Sequence, residues 1–172
     1  MIEGAHLWAI GYDSIDRAEQ VRSEAVQLGE KQSLILLDTA VAIRHLDGTI
    51  TLNGEPVVSL PYFTKHGIAG LLAGLALAVP PLTASVATAV AKAAHATASD
   101  VGISEDFIRE VQAAMKPGTS VLFILDQVAD MPAVLSDVRG LGGTVLRTNV
   151  DLKYASLLQS TLAGVDDKEV RT

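Results

Sequence analysis

The stretch that most constrains this chain is Gly67 to Ala91, GIAGLLAGLALAVPPLTASVATAVA. It carries no charged residue and is fenced by Lys65-His66 before it and Lys92 after it. A single helix of about 20 apolar residues covers the hydrocarbon core of a bilayer, so the run is long enough to span one. Pro80-Pro81 stands near its middle, however. Proline removes an N–H donor and clashes with the preceding turn, and the residue before a proline is pushed out of the helical region. The stretch therefore reads as a helical hairpin, with a first arm from Thr64 to Val79 and a second from Leu82 to Ala98.

The arms are small-residue rich rather than greasy. Gly67, Gly70, Gly74 and Ala78 recur at helical spacing on one face, with Ile68, Leu71, Leu72, Leu75 and Val79 on others. On the second arm Ala87, Ala91, Ala94 and Ala98 recur likewise. Rows of small residues let helix backbones approach closely, and Gly70 to Gly74 is a literal G-x-x-x-G. Three burials are open to such a hairpin: against other copies of the chain, in a bilayer, or in the chain's own core. A helix apolar all round must be covered on most sides, and the rest of a chain of 172 residues has little spare surface to do so. Burial between copies leads. Its expected interface is Gly67, Gly70, Leu71, Gly74, Leu75, Ala78, Pro80, Pro81, Ala87, Ala91 and Ala94.

The length fits one compact domain plus an insertion. The formal net charge is −7, and no run of Lys or Arg occurs, which argues against a nucleic-acid partner because neutralising phosphates needs clustered cations. The absence of cysteine excludes disulfides, thiol catalysis and cysteine-ligated metals. The N-terminal MIEGAHLWAIGYDS has no basic segment followed by an apolar one, so a secretory signal is not expected and the expected location is cytoplasmic, or membrane-associated if the hairpin anchors the chain.

Around the hairpin the pattern is that of an α+β domain. His6 to Tyr12 reads as a strand. Asp13 is placed to cap a helix whose inner stripe is Ala18, Val21, Ala25 and Leu28, with Gly29 as its stop. Leu34 to Leu37 reads as a lead-in to a strand from Ala40 to Leu46. Asp47-Gly48 then turns into Thr49 to Asn53 as a type I′ hairpin, and Asn53-Gly54 turns again toward Val57 to Leu60. After the hairpin, Ser104 caps a helix over Glu105 to Met115, ended by Lys116-Pro117-Gly118. Ser120 to Leu125 is the most hydrophobic strand and hence the central one. A short helix from Asp130 and a strand from Thr144 to Asn149 follow, then a last helix capped by Asp151. The first six elements spell β-α-β-β-α-β, the ferredoxin-like plan of an antiparallel sheet backed by helices. The expected organisation is that plan over residues 1–62 and 100–163, with the apolar hairpin inserted at 63–99, an αβα extension at the C-terminal end and an acidic tail over 164–172.

Chemistry is hard to find. There is no G-x-S-x-G elbow, no phosphate-loop signature, and Gly140 to Gly143 follows a helix and enters a strand, the reverse of an anion-binding loop. His45 alternates with Ile43 as an ordinary strand side chain. His66 and His95 lie equally far from the prolyl turn, so a folded hairpin would bring them together at its open end as candidates for a metal site. They equally mark the two places where an apolar segment meets water. Neither a catalytic set nor a cofactor is expected.

The blocks AIGYDSIDRAEQVRSEAVQL, DTAVAIRHLDGTITLN, the Gly/Ala-rich hairpin, SDVGISEDFIREVQAAMKPGTSVLFILD and LGGTVLRTNV resemble, in this order, the bacterial domain-of-unknown-function family twelve sixty-nine. The most specific part is the pattern around Asp100, Gly102, Ile103 and Phe107, with Lys116-Pro117-Gly118 after it. The resemblance implies no assigned reaction. It implies a membrane label that rests on the hydropathy of the same hairpin, and a loose association with stress responses. The second arm here, almost all Ala, Ser, Thr and Val, departs from the family's glycine-rich pattern.

The reading that follows is a non-enzymatic protein that assembles with itself into a ring, shell or filament through the hairpin. The alternatives are a membrane-associated protein anchored in a lipid bilayer by the same hairpin, and a small-molecule or metal-binding enzyme.

Overall fold

A computed structural model describes residues 5–30, 35–56, 72–73, 101–127 and 143–153. Its centre is an antiparallel six-stranded sheet in the order β4-β3-β2-β5-β1-β6. The strands are β1 (Ala5–Tyr12), β2 (Leu36–Arg44), β3 (Ile50–Leu52), β4 (Glu55–Pro56), β5 (Thr119–Asp126) and β6 (Thr144–Val150). Helix α1 (Arg17–Glu30) joins β1 to β2, and α2 (Glu105–Ala114) precedes β5.

β5 is buried along its whole length, and its apolar run Val121 to Leu125 suits a central strand covered on both faces. It pairs with β2 on one side and β1 on the other. Since both neighbours are antiparallel to β5, β1 and β2 run parallel to each other, and β5 splits the β1-α1-β2 unit. Thr49 to Asn53, expected as the third strand of the plan, instead lies outside β2. The strand between β1 and β2 is the one with apolar residues on both faces, and β3 buries only Leu52. The sheet assigns its middle by hydrophobicity rather than by chain order.

Alternation along the strands feeds two cores. On one face Trp8, Ile10, Tyr12, Val41, Leu122 and Ile124 meet Ala18, Val21 and Ala25 of α1. On the other, Leu7, Ala9, Ala40, Ala42, Phe123 and Leu125 meet Phe107 and Val111 of α2 together with Val101, Ile103 and Met115. Helices thus cover both faces. Each fully buried large side chain, Phe123 among them, stabilises the fold by about 1.5–3 kcal/mol relative to exposure. Leu72 and Ala73, the described residues of the apolar stretch, are helical, fully buried and members of the second core. At these positions the chain buries the stretch against itself.

Several local expectations are displaced. Helix α1 begins at Arg17, not next to Asp13. Its start is held from the sheet: the Ser120 hydroxyl accepts from the Ala18 N–H at 3.3 Å and donates to the Ser14 carbonyl at 2.6 Å. Gly29 lies inside the helix rather than ending it, and its close approach to Leu36 suits a residue without a side chain. β2 takes in part of the Leu34–Leu37 lead-in, with an irregularity between Leu36 and Asp38. Asp47-Gly48 is not a type I′ turn, for only Gly48 has positive φ there; Asn53 (52°) and Gly54 (83°) form that turn between β3 and β4. The expected continuation over Val57 to Leu60, the helix from Asp130 and the acidic tail lie outside the described residues.

The second half follows expectation closely. Ser104 caps α2 by accepting from the Phe107 N–H at 3.2 Å. Gly118, at a φ of 84°, turns the chain into β5 and donates its N–H to the Arg44 carbonyl at 2.8 Å. Asp151 accepts from the Lys153 N–H at 2.9 Å, as the cap of a helix start does.

Candidate functional site

The register of the three strands β5-β1-β6 builds a row of polar side chains on the α1 face. His6 lies opposite Asp126 on one side, and Trp8 lies opposite Arg147 on the other. Asp126 has no exposed surface. Its carboxylate accepts from Trp8 Nε1 at 2.5 Å and faces His6 Nδ1 at 3.2 Å. The other nitrogen of His6 receives a hydrogen bond from Arg147 at 2.7 Å, and the guanidinium lies 5.1 Å from the centre of the Trp8 ring. Burial pushes the Asp126 carboxyl above its ordinary value, while the hydrogen bonds from His6 and Trp8 and the charge of Arg147 pull the other way.

A carboxylate orienting an imidazole is half of a general-base arrangement. Here the free end of the imidazole is occupied by Arg147, and no hydroxyl of the described residues joins the row by a hydrogen bond. What the row does is clamp three strands at one end of the sheet through a buried charge, a ring and a cation stacked on an indole. The sequence places His6, Trp8 and Arg147 only as strand residues and gives none of them, nor Asp126, a role in a site. The signal that was there is Trp8: an indole N–H in a buried strand needs an acceptor, and Asp126 is the carboxylate that closes the central strand.

A second feature on the same face is an open cleft of about 630 Å³ between α1 and the β2–β3 end, with Val41 and Ile43 in its floor and Asp16, Glu19 and Arg22 on its helical wall. Arg22 is already engaged, donating to Thr39 at 2.9 Å and to Glu19 at 3.3 Å.

The residues singled out in the apolar stretch, Gly67, Gly70, Leu71, Gly74, Leu75, Ala78, Pro80, Pro81, Ala87, Ala91 and Ala94, lie outside the described residues, as do His66 and His95. Among the described residues no group of three His, Asp or Glu could hold a metal ion, and no helix is long and apolar enough to cross a membrane.

The pattern around Gly102 has a structural explanation. Gly102 has a φ of 95°, and a Cβ placed on it would stand 1.9 Å from the Asn149 carbonyl oxygen. Its own carbonyl accepts from the Thr148 hydroxyl at 2.6 Å. Ile103 and Phe107 fill the core. These residues fasten the chain leaving the apolar stretch to the end of β6. A family model described as "Protein of unknown function (DUF1269)" matches residues 65–163, the apolar stretch and everything after it as far as the last expected helix. The chain belongs to this family. The DUF1269 match takes in α2, β5 and β6, and with them Asp126 and Arg147, whereas His6 and Trp8 stand before it. No curated protein and no solved structure matches the chain.

Proposed function

We propose that this DUF1269 protein is a non-enzymatic module that associates with copies of itself through the apolar stretch. The row of small residues in the sequence is what supports the reading; the complete burial of Leu72 and Ala73 in the core on the α2 face assigns those two positions to the chain's own core. A helix advances about 100° per residue. In the sequence Gly67, Gly70, Gly74 and Ala78 recur at helical spacing and out of phase with Leu72 and Ala73. Such a row is one that a second helix can approach closely. In this reading the stretch is docked to its own sheet by one face and offers its small-residue row to another copy.

The fold reading is refined with it. The strand order β6-β1-β5-β2 is that of a ferredoxin-like core in which β5 is the third strand. Everything from β3 through α2 is then the insertion. A fold of this kind assigns no activity, and the clamped row at Asp126 holds no open catalytic position.

Light scattering on the detergent-free protein tests the reading. Gly70→Leu and Gly74→Leu are expected to lower the particle mass while leaving the far-UV spectrum intact. Unchanged mass in both variants overturns it, and recovery of the parent only with lipid vesicles replaces it with the membrane-anchored alternative.

A further inference from the structure

The two edges of the sheet are unlike. β4, described over Glu55–Pro56, carries Pro56, which has no N–H to offer. β6 is seven residues long, TVLRTNV, without proline or lysine. Its one charge, Arg147, is drawn onto its own sheet by His6 and Trp8.

The ladder fixes which backbone groups of β6 are spare. In an antiparallel sheet alternate residues turn both their N–H and C=O to one neighbour. Val41 gives its carbonyl to the Asn53 N–H, so Ala42 faces β5. Carried across the registers of β5 and β1, the alternation makes Thr144, Leu146 and Thr148 face β1, and Val145, Arg147 and Asn149 face outward. The Asn149 carbonyl set against Gly102 agrees with that assignment. The Val101–Gly102 segment covers this end of the edge, where the Asp151 N–H also donates to the Val101 carbonyl at 2.8 Å. Among the described residues nothing accepts from or donates to the outward groups of Val145 and Arg147. Val145 is 38% exposed.

We infer that β6 is an interaction edge for a second copy of this chain, paired antiparallel about a two-fold axis at Leu146. The edge is self-complementary. Val145 and Arg147 each bring one outward donor and one outward acceptor, and the axis sets Val145 of one copy against Arg147 of the other, so all of them pair. Leu146 meets its own counterpart on the α2 face. Val101–Gly102 stops the pairing at Asn149. This edge is separate from the apolar stretch and supplies a different contact.

The cysteine-free chain makes the test direct. In the inferred register Leu146 faces its counterpart in a pair without mutual hydrogen bonds, with Cα atoms about 4.5 Å apart, within the roughly 4.4–6.8 Å that a disulfide spans. Leu146→Cys is expected to cross-link into a covalent dimer on mild oxidation, and Thr144→Cys, out of register with its own copy, is not. Val145→Pro removes only an outward N–H, since the ladder to β1 uses the alternate residues. Added to Leu146→Cys it is expected to abolish the cross-link with the far-UV spectrum unchanged. Cross-linking of Leu146→Cys no greater than that of Thr144→Cys overturns the inference, as does a cross-link indifferent to Val145→Pro. Adding Gly70→Leu separates the two contacts. A cross-link that survives it supports the edge, whereas a particle mass that falls with Gly70→Leu in a protein that never cross-links at Leu146 overturns the edge and leaves the apolar contact standing.

Discussion

Arg147 donates a hydrogen bond to Nε2 of His6 at 2.7 Å. A guanidinium offers only donors, so Nε2 is unprotonated and the ring carries its proton on Nδ1, 3.2 Å from Asp126. The less common imidazole tautomer is thus fixed from both sides by residues on two different strands. Ring nitrogen NMR at a pH where His6 is neutral is expected to show protonation at Nδ1. Arg147→Ala should return the ring toward the Nε2-protonated form. A parent ring protonated at Nε2 contradicts the arrangement.

Asp126 gives the clamp a pH signature. Its folded-state value is raised by burial, so below the ordinary carboxylate value of about 3.9 the protonated group contributes stability. That contribution is lost as pH rises through the raised value. Asp126→Asn has no such dependence. In urea unfolding measured across this range, the stability of the parent is expected to fall relative to Asp126→Asn as pH rises, with His6, Trp8 and Arg147 as the groups facing the site. Parallel curves would remove the buried carboxylate from the account.

Tyr12 marks the other end of the same face. Burial pushes its phenol up to about 12, with Arg17 acting in the opposite direction. Because the folded value lies above the ordinary 10.0, the stability it contributes is complete below that and is lost as pH climbs toward 12. Of the three tyrosines, one is therefore expected to ionise late in an absorbance titration of the folded protein, and Tyr12→Phe to remove that late step. A late step that persists in Tyr12→Phe assigns it elsewhere.

Gly102 and Gly48 form a matched pair. Both have positive φ, but an added Cβ meets the Asn149 carbonyl at Gly102 and nothing within 4 Å at Gly48. Gly48→Ala should cost only the left-handed backbone penalty, roughly 1–2 kcal/mol. Gly102→Ala should cost clearly more, since the end of β6 must move to admit it. Equal losses in denaturant unfolding would mean that the 101–102 segment is not fastened to β6.

The sequence was most legible where one segment decides its own structure. The unbroken apolar run of β5 placed that strand in the middle, Ser104 capped its helix, and Thr144 to Asn149 emerged as a strand nearly to the residue. It was least legible where distant strands decide. Nothing near Asp13 reveals that Ser120 holds the start of α1, and nothing near β3 reveals that β5 displaces it from the side of β1. The two Xxx-Gly turns show the limit of local signals: Asp47-Gly48 and Asn53-Gly54 look alike in sequence, and only the second joins strands with a two-residue loop. The Asp126 row follows from register across three strands, which no single stretch encodes.

The mass of the purified chain in detergent-free buffer, followed by light scattering over a dilution series, tests the central claim of self-association most directly. A defined particle of at least two 18.0 kDa chains is the expected result. A single 18.0 kDa molecule at every concentration would contradict it.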